Sequence, residues 1–179
     1  MTVGLSDRLG QVRRGVLIGI GITFASFHIA GSLGLRINTS PSLPPGLYII
    51  TKDVSASLIE FCPVEPFAAL AIARGYRDAG GCQDGAAPLL KPVVARSGDI
   101  VDVSRDGISV NGVLLPNTAQ LASDAKGRPL EGWPYGRYTV AAQTVWVASS
   151  YHPRSFDSRY FGPLSTSAIR HRLKAFVTL

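Results

Sequence analysis

Residues 89–115 read LLKPVVARSGDIVDVSRDGISVNGVLL, and their pattern decides the fold. Four short runs rich in Val, Ile and Leu, at 89–95, 100–103, 108–110 and 113–115, are separated by two to four residues that include turn formers. Branched side chains are stiff in a helix and fit the pleated, half-buried surface of a sheet. Asp106-Gly107 and Asn111-Gly112 accept the positive φ values of tight primed turns, so both read as hairpin connections. The gaps leave no room for crossover helices, and the stretch predicts consecutive antiparallel strands. Pro92 has no N–H to give a ladder, which suggests an edge position for the first of them.

Outward from this stretch the same signals recur at 47–50 upstream and at 138–140 and 144–148 downstream. Residues 38–46, NTSPSLPPG, are an irregular connection leading into the 47–50 run. Residues 62–85 mix Pro, Gly and acids around a short apolar stretch at 67–73, and read as an excursion containing one helical turn. The expected fold is mainly β, an antiparallel β domain with coiled connections.

At 179 residues the chain holds one domain and a short appendage. Residues 15–35 form a run of 21 without Asp, Glu, Lys or Arg, bounded by Arg13-Arg14 and Arg36. That length spans a bilayer, and the paired arginines keep the N-terminal side cytoplasmic. The expected organisation is a cytoplasmic N-terminus at 1–14, a transmembrane helix or signal segment at 15–35, and an extracytoplasmic domain at 36–179. Three readings of the segment stay open: an anchor, a signal peptide cleaved near Ala30-Gly31-Ser32, and a buried core helix.

Net charge is +6, yet the basic residues are scattered, with no Lys/Arg run interleaved with aromatics, so nucleic acid is not an expected partner. Cys62 and Cys82, twenty positions apart, fit a disulfide in an oxidising compartment; two free buried thiols are the alternative. With His152 and His171 far downstream they match no zinc spacing, and neither metal nor cofactor is expected. No Gly-x-Ser-x-Gly elbow occurs, and no pair of carboxylates stands out for glycoside chemistry. Trp133, Trp146, Tyr160 and Phe161 are expected in the core of a small β domain.

A sharper constellation remains. Ser42 lies in S-L-P-P-G just beyond the hydrophobic segment, Lys91 in LLKPVVARSGD, and Ser155 to Pro163 read SFDSRYFGP. In this order the three stretches resemble the signal peptidase I superfamily, and most of all its conjugative-transfer branch, the TraF-type peptidases. The branch pattern N-x-[ST]-x-S-x-P-x-G-[LI]-Y is matched by Asn38, Ser40, Ser42, Pro44, Gly46, Leu47 and Tyr48. The resemblance runs from the hydrophobic segment to the C-terminus, and the cysteine pair also resembles that branch.

Departures are Leu43 where methionine is common, Ser97 for a proline before Gly98-Asp99, and Ser149-Ser150 where general signal peptidases carry Gly-Asp. They are expected to bear on substrate preference rather than on chemistry.

The resemblance implies that Ser42 is the nucleophile and Lys91 the general base of a Ser–Lys peptidase. A serine hydroxyl needs a base, and an amine serves when burial lowers its pKa; the apolar neighbours Leu89, Leu90, Val93 and Val94 are suited to that burial. Ser40 resembles the hydroxyl that joins the Ser42 N–H in the oxyanion hole. Ser155 resembles the serine that orients the amine, and Asp157 and Arg159 resemble a supporting pair near it.

The implied substrate is a pilin precursor, with the inner membrane and other conjugative transfer components as further partners. The implied place is the periplasmic side of the inner membrane, tethered by 15–35. In the TraF branch the acyl-enzyme can be resolved by the substrate's own amino terminus, giving a cyclic pilin. A general signal peptidase, or a non-catalytic envelope assembly factor of the mating-pair apparatus, are the alternatives. A LexA-like autoprotease would want a DNA-binding head where this chain has a hydrophobic segment. From the Arg13-Arg14 flank, a reporter fused after Leu47 is expected to be active only outside the cytoplasm; cytoplasmic activity there overturns the orientation.

Overall fold

A computed structural model of the chain describes residues 34–179 together with Arg13, Arg14, Val16 and Leu17. The rest of the expected 15–35 helix lies outside the described residues; at its far end Leu35 already begins a strand. Residues Ile37–Leu179 form one compact unit.

The elements run β1 (Leu35–Asn38), β2 (Gly46–Thr51), β3 (Leu58–Phe61), α1 (Phe67–Ala73), β4 (Leu89–Arg96), β5 (Ile100–Ser104), β6 (Gly107–Val110), β7 (Val113–Leu114), β8 (Gly136–Thr139) and β9 (Thr144–Val147). After these come α2 (Ser158–Phe161), β10 (Leu164–Ser165), a 3-10 turn (Thr166–Ala168) and β11 (Ile169–Thr178). The fold is mainly β, as the sequence predicts. The larger sheet has the order β1-β2-β11-β3-β4-β9-β10 and the smaller one β7-β6-β5-β8. Pairings from β2 through to β10, and all three in the smaller sheet, are antiparallel.

The hairpin signals act differently from one another. Asn111 and Gly112 both take positive φ, 49° and 84°, and form the two-residue turn between Val110 and its partner Val113. The turn between β5 and β6 instead centres on Arg105-Asp106, because Ser104 pairs with Gly107, and Gly107 belongs to the strand. Asp99, in the turn from β4 to β5, accepts from Arg96 N and from Asn111 Nδ2, so one carboxylate ties the two sheets' connection to the β6–β7 hairpin.

Two expectations are corrected. β4 is not an edge: it lies between β3 and β9. Pro92 is tolerated because both partners run out beside it, with Ala148 N donating to Pro92 O just past β9 and Val93 N donating to Ser57 O just before β3. The 62–85 excursion carries a seven-residue helix, α1, rather than a single turn. Its inward face, Phe67, Leu70 and Ala71, joins Ile59, Phe61, Val145, Val147 and the aromatic cluster Phe156, Tyr160 and Phe161. A second core gathers Ala95, Val101, Val103, Ile108, Val140 and Trp146 where the sheets meet, with Trp133 packed on it. Trp146, Tyr160 and Phe161 are buried, as expected of core aromatics.

Cys62 and Cys82 are joined in a disulfide, Cα–Cα 5.9 Å, that closes the excursion. Inside it Arg77 forks onto Asp84 at 2.6 and 3.2 Å and donates through Nε to Ala87 O, while Arg170 on β11 reaches Gly81 O at 2.7 Å. A cross-link closing a loop of this length stabilises by about 3 kcal/mol in the chain-entropy treatment. Cys62→Ser is therefore expected to lower the unfolding temperature clearly while leaving activity per folded molecule near wild type. Two alkylatable thiols in exported protein would contradict the cross-link.

Candidate active site

The loop from β1 to β2 contains Pro41, Pro44 and Pro45, which supply no N–H groups, so its carbonyls need donors from elsewhere. Asn38 provides them. Its buried side-chain Nδ2 donates to Ser40 O, Leu43 O and Pro44 O at 3.1, 3.1 and 3.2 Å, and its Oδ1 accepts from Ser40 N and Oγ. Leu43 is buried against Tyr48 and Leu173, and the Tyr48 hydroxyl donates to Pro44 O at 2.7 Å. Gly46 has φ of +152°, and a Cβ there would meet Val177 O at 2.2 Å, so only glycine lets β2 start this close to β11. Ser42 thus sits on a loop fixed on three sides and is itself buried.

Lys91 projects from the middle of β4, in register with Ile59 of β3. Its Nζ donates to Ser42 Oγ at 2.5 Å and to Ser155 Oγ at 3.0 Å. Only 4% of the residue is exposed. Burial pulls its pKa down to about 8; the Asp157 carboxylate opposes this and the Arg159 guanidinium adds to it. An amine so placed can take a proton from the adjoining hydroxyl near neutral pH.

Ser155 is buried at the end of the turn 152–155, its N donating to His152 O. Behind it Asp157 and Arg159 are both fully buried. Arg159 Nε and Nη2 fork onto the Asp157 carboxylate at 2.8 and 3.0 Å. The remaining donors reach Asn117 O and Pro153 O at 2.9 Å through Nη1, and Ser149 O at 2.9 Å through Nη2. Asp157 also caps α2 by accepting from Arg159 N, and it accepts from Ser149 N at 3.0 Å.

Ser42, Lys91 and Ser155 therefore meet, with Asp157 and Arg159 directly behind. Ser40 stands at the mouth of the loop, exposed, and its hydroxyl donates to Asn38 Oδ1 at 2.8 Å. The cysteine pair belongs to the excursion. Leu43, expected to bear on substrate preference, lies in the core, where leucine and methionine exchange at similar volume.

Sequence reasoning gave no part in the chemistry to two polar residues that the structure buries here: Asn38 entered only as a position of the nucleophile pattern, and Ser149 only as a departure expected to bear on substrate preference. Asn38 was readable in principle, since Asn two positions before Ser is a signature of a side chain bonding its own loop. Ser149 carries no local signal: a serine pair after a strand reads as a solvated end, yet Ser149 is fully buried and its Oγ donates to Ser42 O at 2.5 Å.

Among known proteins, the family profile described as "Signal peptidase, peptidase S26" matches residues 11–178. A plasmid transfer protein TraF of Escherichia coli is 36% identical over 97% of this chain and 99% of its own length. A probable conjugal transfer protein TraF of Sinorhizobium fredii is 35% identical over 94% of each. A solved signal peptidase I from Enterococcus faecalis V583 superposes on 70% of this chain and 99% of that chain, with a TM-score of 0.38 at 18% identity. Family membership rests on the sequence matches rather than on that superposition.

Removing one member of a buried ion pair strands the other, a loss of about 3–5 kcal/mol. Arg159→Met is expected to destabilise the domain on that scale in denaturant unfolding. A change under about 1 kcal/mol would mean that Asp157 finds another partner in the variant.

Proposed function

The chain belongs to the signal peptidase family, peptidase S26, and on that premise we propose that it is a Ser–Lys endopeptidase that matures a pilin precursor for conjugative transfer. The observation that carries the reading is the Lys91 amine, buried and 2.5 Å from Ser42 Oγ. With a pKa of about 8, roughly a quarter of the amine is neutral at pH 7.5, against about one part in a thousand at the ordinary lysine value. That enrichment, on the order of a hundredfold, is what a base for a serine hydroxyl requires.

In the proposed mechanism neutral Lys91 takes the Ser42 proton as Oγ attacks the scissile carbonyl. The Ser42 N–H and, after turning from Asn38, the Ser40 hydroxyl stabilise the developing oxyanion, each such donor contributing about 3–4 kcal/mol. Lys91 then returns the proton to the leaving amine, and the ester on Ser42 is opened by water or by the amino terminus of the same substrate. Ser155 holds the amine on Ser42, while Asp157 and Arg159 fix the segment that carries Ser155.

The relatives named for plasmid and conjugal transfer support a role in mating. The charge-free segment at 15–35 supports a catalytic domain held on the periplasmic face of the inner membrane. Ser42 follows that segment by only a few residues, which suits cleavage of a chain emerging from the bilayer.

Co-expression with a conjugative pilin precursor, followed by the intact mass of the product, tests the reading: loss of residues signals cleavage, and a further missing water signals cyclisation. Ser42→Ala, Lys91→Ala and Lys91→Arg should each abolish processing in folded, exported protein, the last because guanidinium keeps its proton at any working pH. For the wild type, kcat/KM should rise with pH and level off above an ionisation near 8, since the neutral amine is the working form. Processing by folded Lys91→Arg would sink the assignment of the base, and processing by Ser42→Ala the assignment of the nucleophile.

A further inference from the structure

We infer that Ser149 is a positioning residue for the nucleophile: its hydroxyl clamps the Ser42 peptide and couples it to the Asp157–Arg159 pair. The inference rests on the reading of Ser42 as nucleophile and deepens it.

Every polar group of Ser149 is committed. Its N–H donates to Asp157 Oδ2 at 3.0 Å, and its carbonyl accepts from Arg159 Nη2 at 2.9 Å. Asp157 and Arg159 thus fix the backbone of Ser149 from both sides. The hydroxyl accepts from Tyr151 N at 3.1 Å and donates to Ser42 O at 2.5 Å. The bond from Tyr151 orients the hydroxyl, leaving its proton directed at Ser42.

The consequence lies in the geometry of Ser42. Pinning the carbonyl restrains ψ of that residue, so the direction of its Cα–Cβ bond is set and only rotation about χ1 remains to carry Oγ to Lys91. Asn38 bonds the carbonyls of Ser40, Leu43 and Pro44, and Leu43 anchors the loop in the core, but neither side chain gives a hydrogen bond to the Ser42 carbonyl. The segment 149–159 therefore controls both reacting partners separately: Ser155 touches the Lys91 amine, and Ser149 touches the Ser42 backbone. Misplacement of a reacting group by about 1 Å costs on the order of a hundredfold in rate, so loss of the clamp should show in turnover.

The test uses the 179-residue chain and the pilin precursor that the wild type processes, with Ser149→Ala, Ser149→Cys and Ser42→Ala in parallel. Ser149→Ala removes the donor. Ser149→Cys nearly keeps the volume and weakens the donor, so it separates packing from hydrogen bonding and serves should the alanine variant unfold. The expected result is a fall in kcat of about 10- to 100-fold for Ser149→Ala and a smaller one for Ser149→Cys. KM should stay within about twofold, and the midpoint of the pH profile should not move, because burial and the Asp157 and Arg159 charges that set it stay in place.

Wild-type kcat in both Ser149 variants overturns the inference while leaving the Ser–Lys reading intact. A displaced pH midpoint overturns it too, since the effect would then run through Lys91. Cleavage retained by Ser42→Ala removes the nucleophile and both readings with it.

Discussion

The ion pair of Asp157 and Arg159 holds together parts of the chain that no sheet connects. Both residues are wholly buried, and desolvating two charges costs several kcal/mol per ion unless geometry and further hydrogen bonds offset it. Here the offset is extensive: a bidentate fork, plus carbonyls from Asn117, Ser149 and Pro153 on the same guanidinium. Those carbonyls lie in irregular segments whose backbone groups would otherwise be buried without partners. Arg159 thus does for these segments what a strand ladder does for regular ones. Lysine could not replace it, because three donors on one nitrogen cannot fork onto a carboxylate and reach several separate carbonyls.

The position of Lys91 follows from a second constraint. Exclusion of water is the main cause that brings this amine toward neutrality, and an edge strand would leave it wet. β4 lies between β3 and β9, so the side chain emerges from the interior of the larger sheet and is closed over by the Ser42 loop and the 152–155 turn. Desolvation works against folding as long as the amine is charged. The folded pKa of about 8 lies below the unfolded value, so the penalty is full below pH 8 and fades as pH rises toward the ordinary lysine range. Under the proposed mechanism, stability is given up here for chemistry.

Legibility in the sequence followed the range of the interactions. Strands β2, β4, β5, β6, β7, β8 and β9 announced themselves, because alternation and turn residues act within a few positions. β11 did not, although it is the longest strand and lies between β2 and β3. Of its ten residues only Leu173 is buried, and the five after it are all exposed, so the alternation that marks a half-buried strand is missing, and Arg170, Arg172 and Lys174 interrupt its apolar residues. β1, β3 and β10 each carry at most one β-branched residue and adjoin no hairpin dipeptide, so neither local signal marks them. In the site, Ser42, Lys91 and Ser155 stood out because they fall in stretches resembling a known family. Asn38 and Ser149 owe their burial to partners that only tertiary contacts supply, and Pro92 misled because a local rule about ladders takes no account of where the partner strands end.

The arrangement around Lys91 also bears on how a proton would move. A charged amine has three donors, of which Ser42 Oγ and Ser155 Oγ take two. On losing one proton it keeps two N–H groups and gains a lone pair, and rotation about the Cε–Nζ bond decides where that lone pair points. Ser155, 3.0 Å away, retains one N–H and so restrains the rotation. With Ser42 Oγ as the other close neighbour, the lone pair has the serine proton within reach, and no rearrangement separates deprotonation of the amine from readiness to accept. Ser155 therefore needs only to be an acceptor in the right place, a role consistent with a neutral hydroxyl where a carboxylate would hold the amine charged. A carboxylate as near as Ser155 would raise the pKa that burial lowers, whereas Asp157, already occupied by Arg159 and Ser149, opposes the shift without cancelling it.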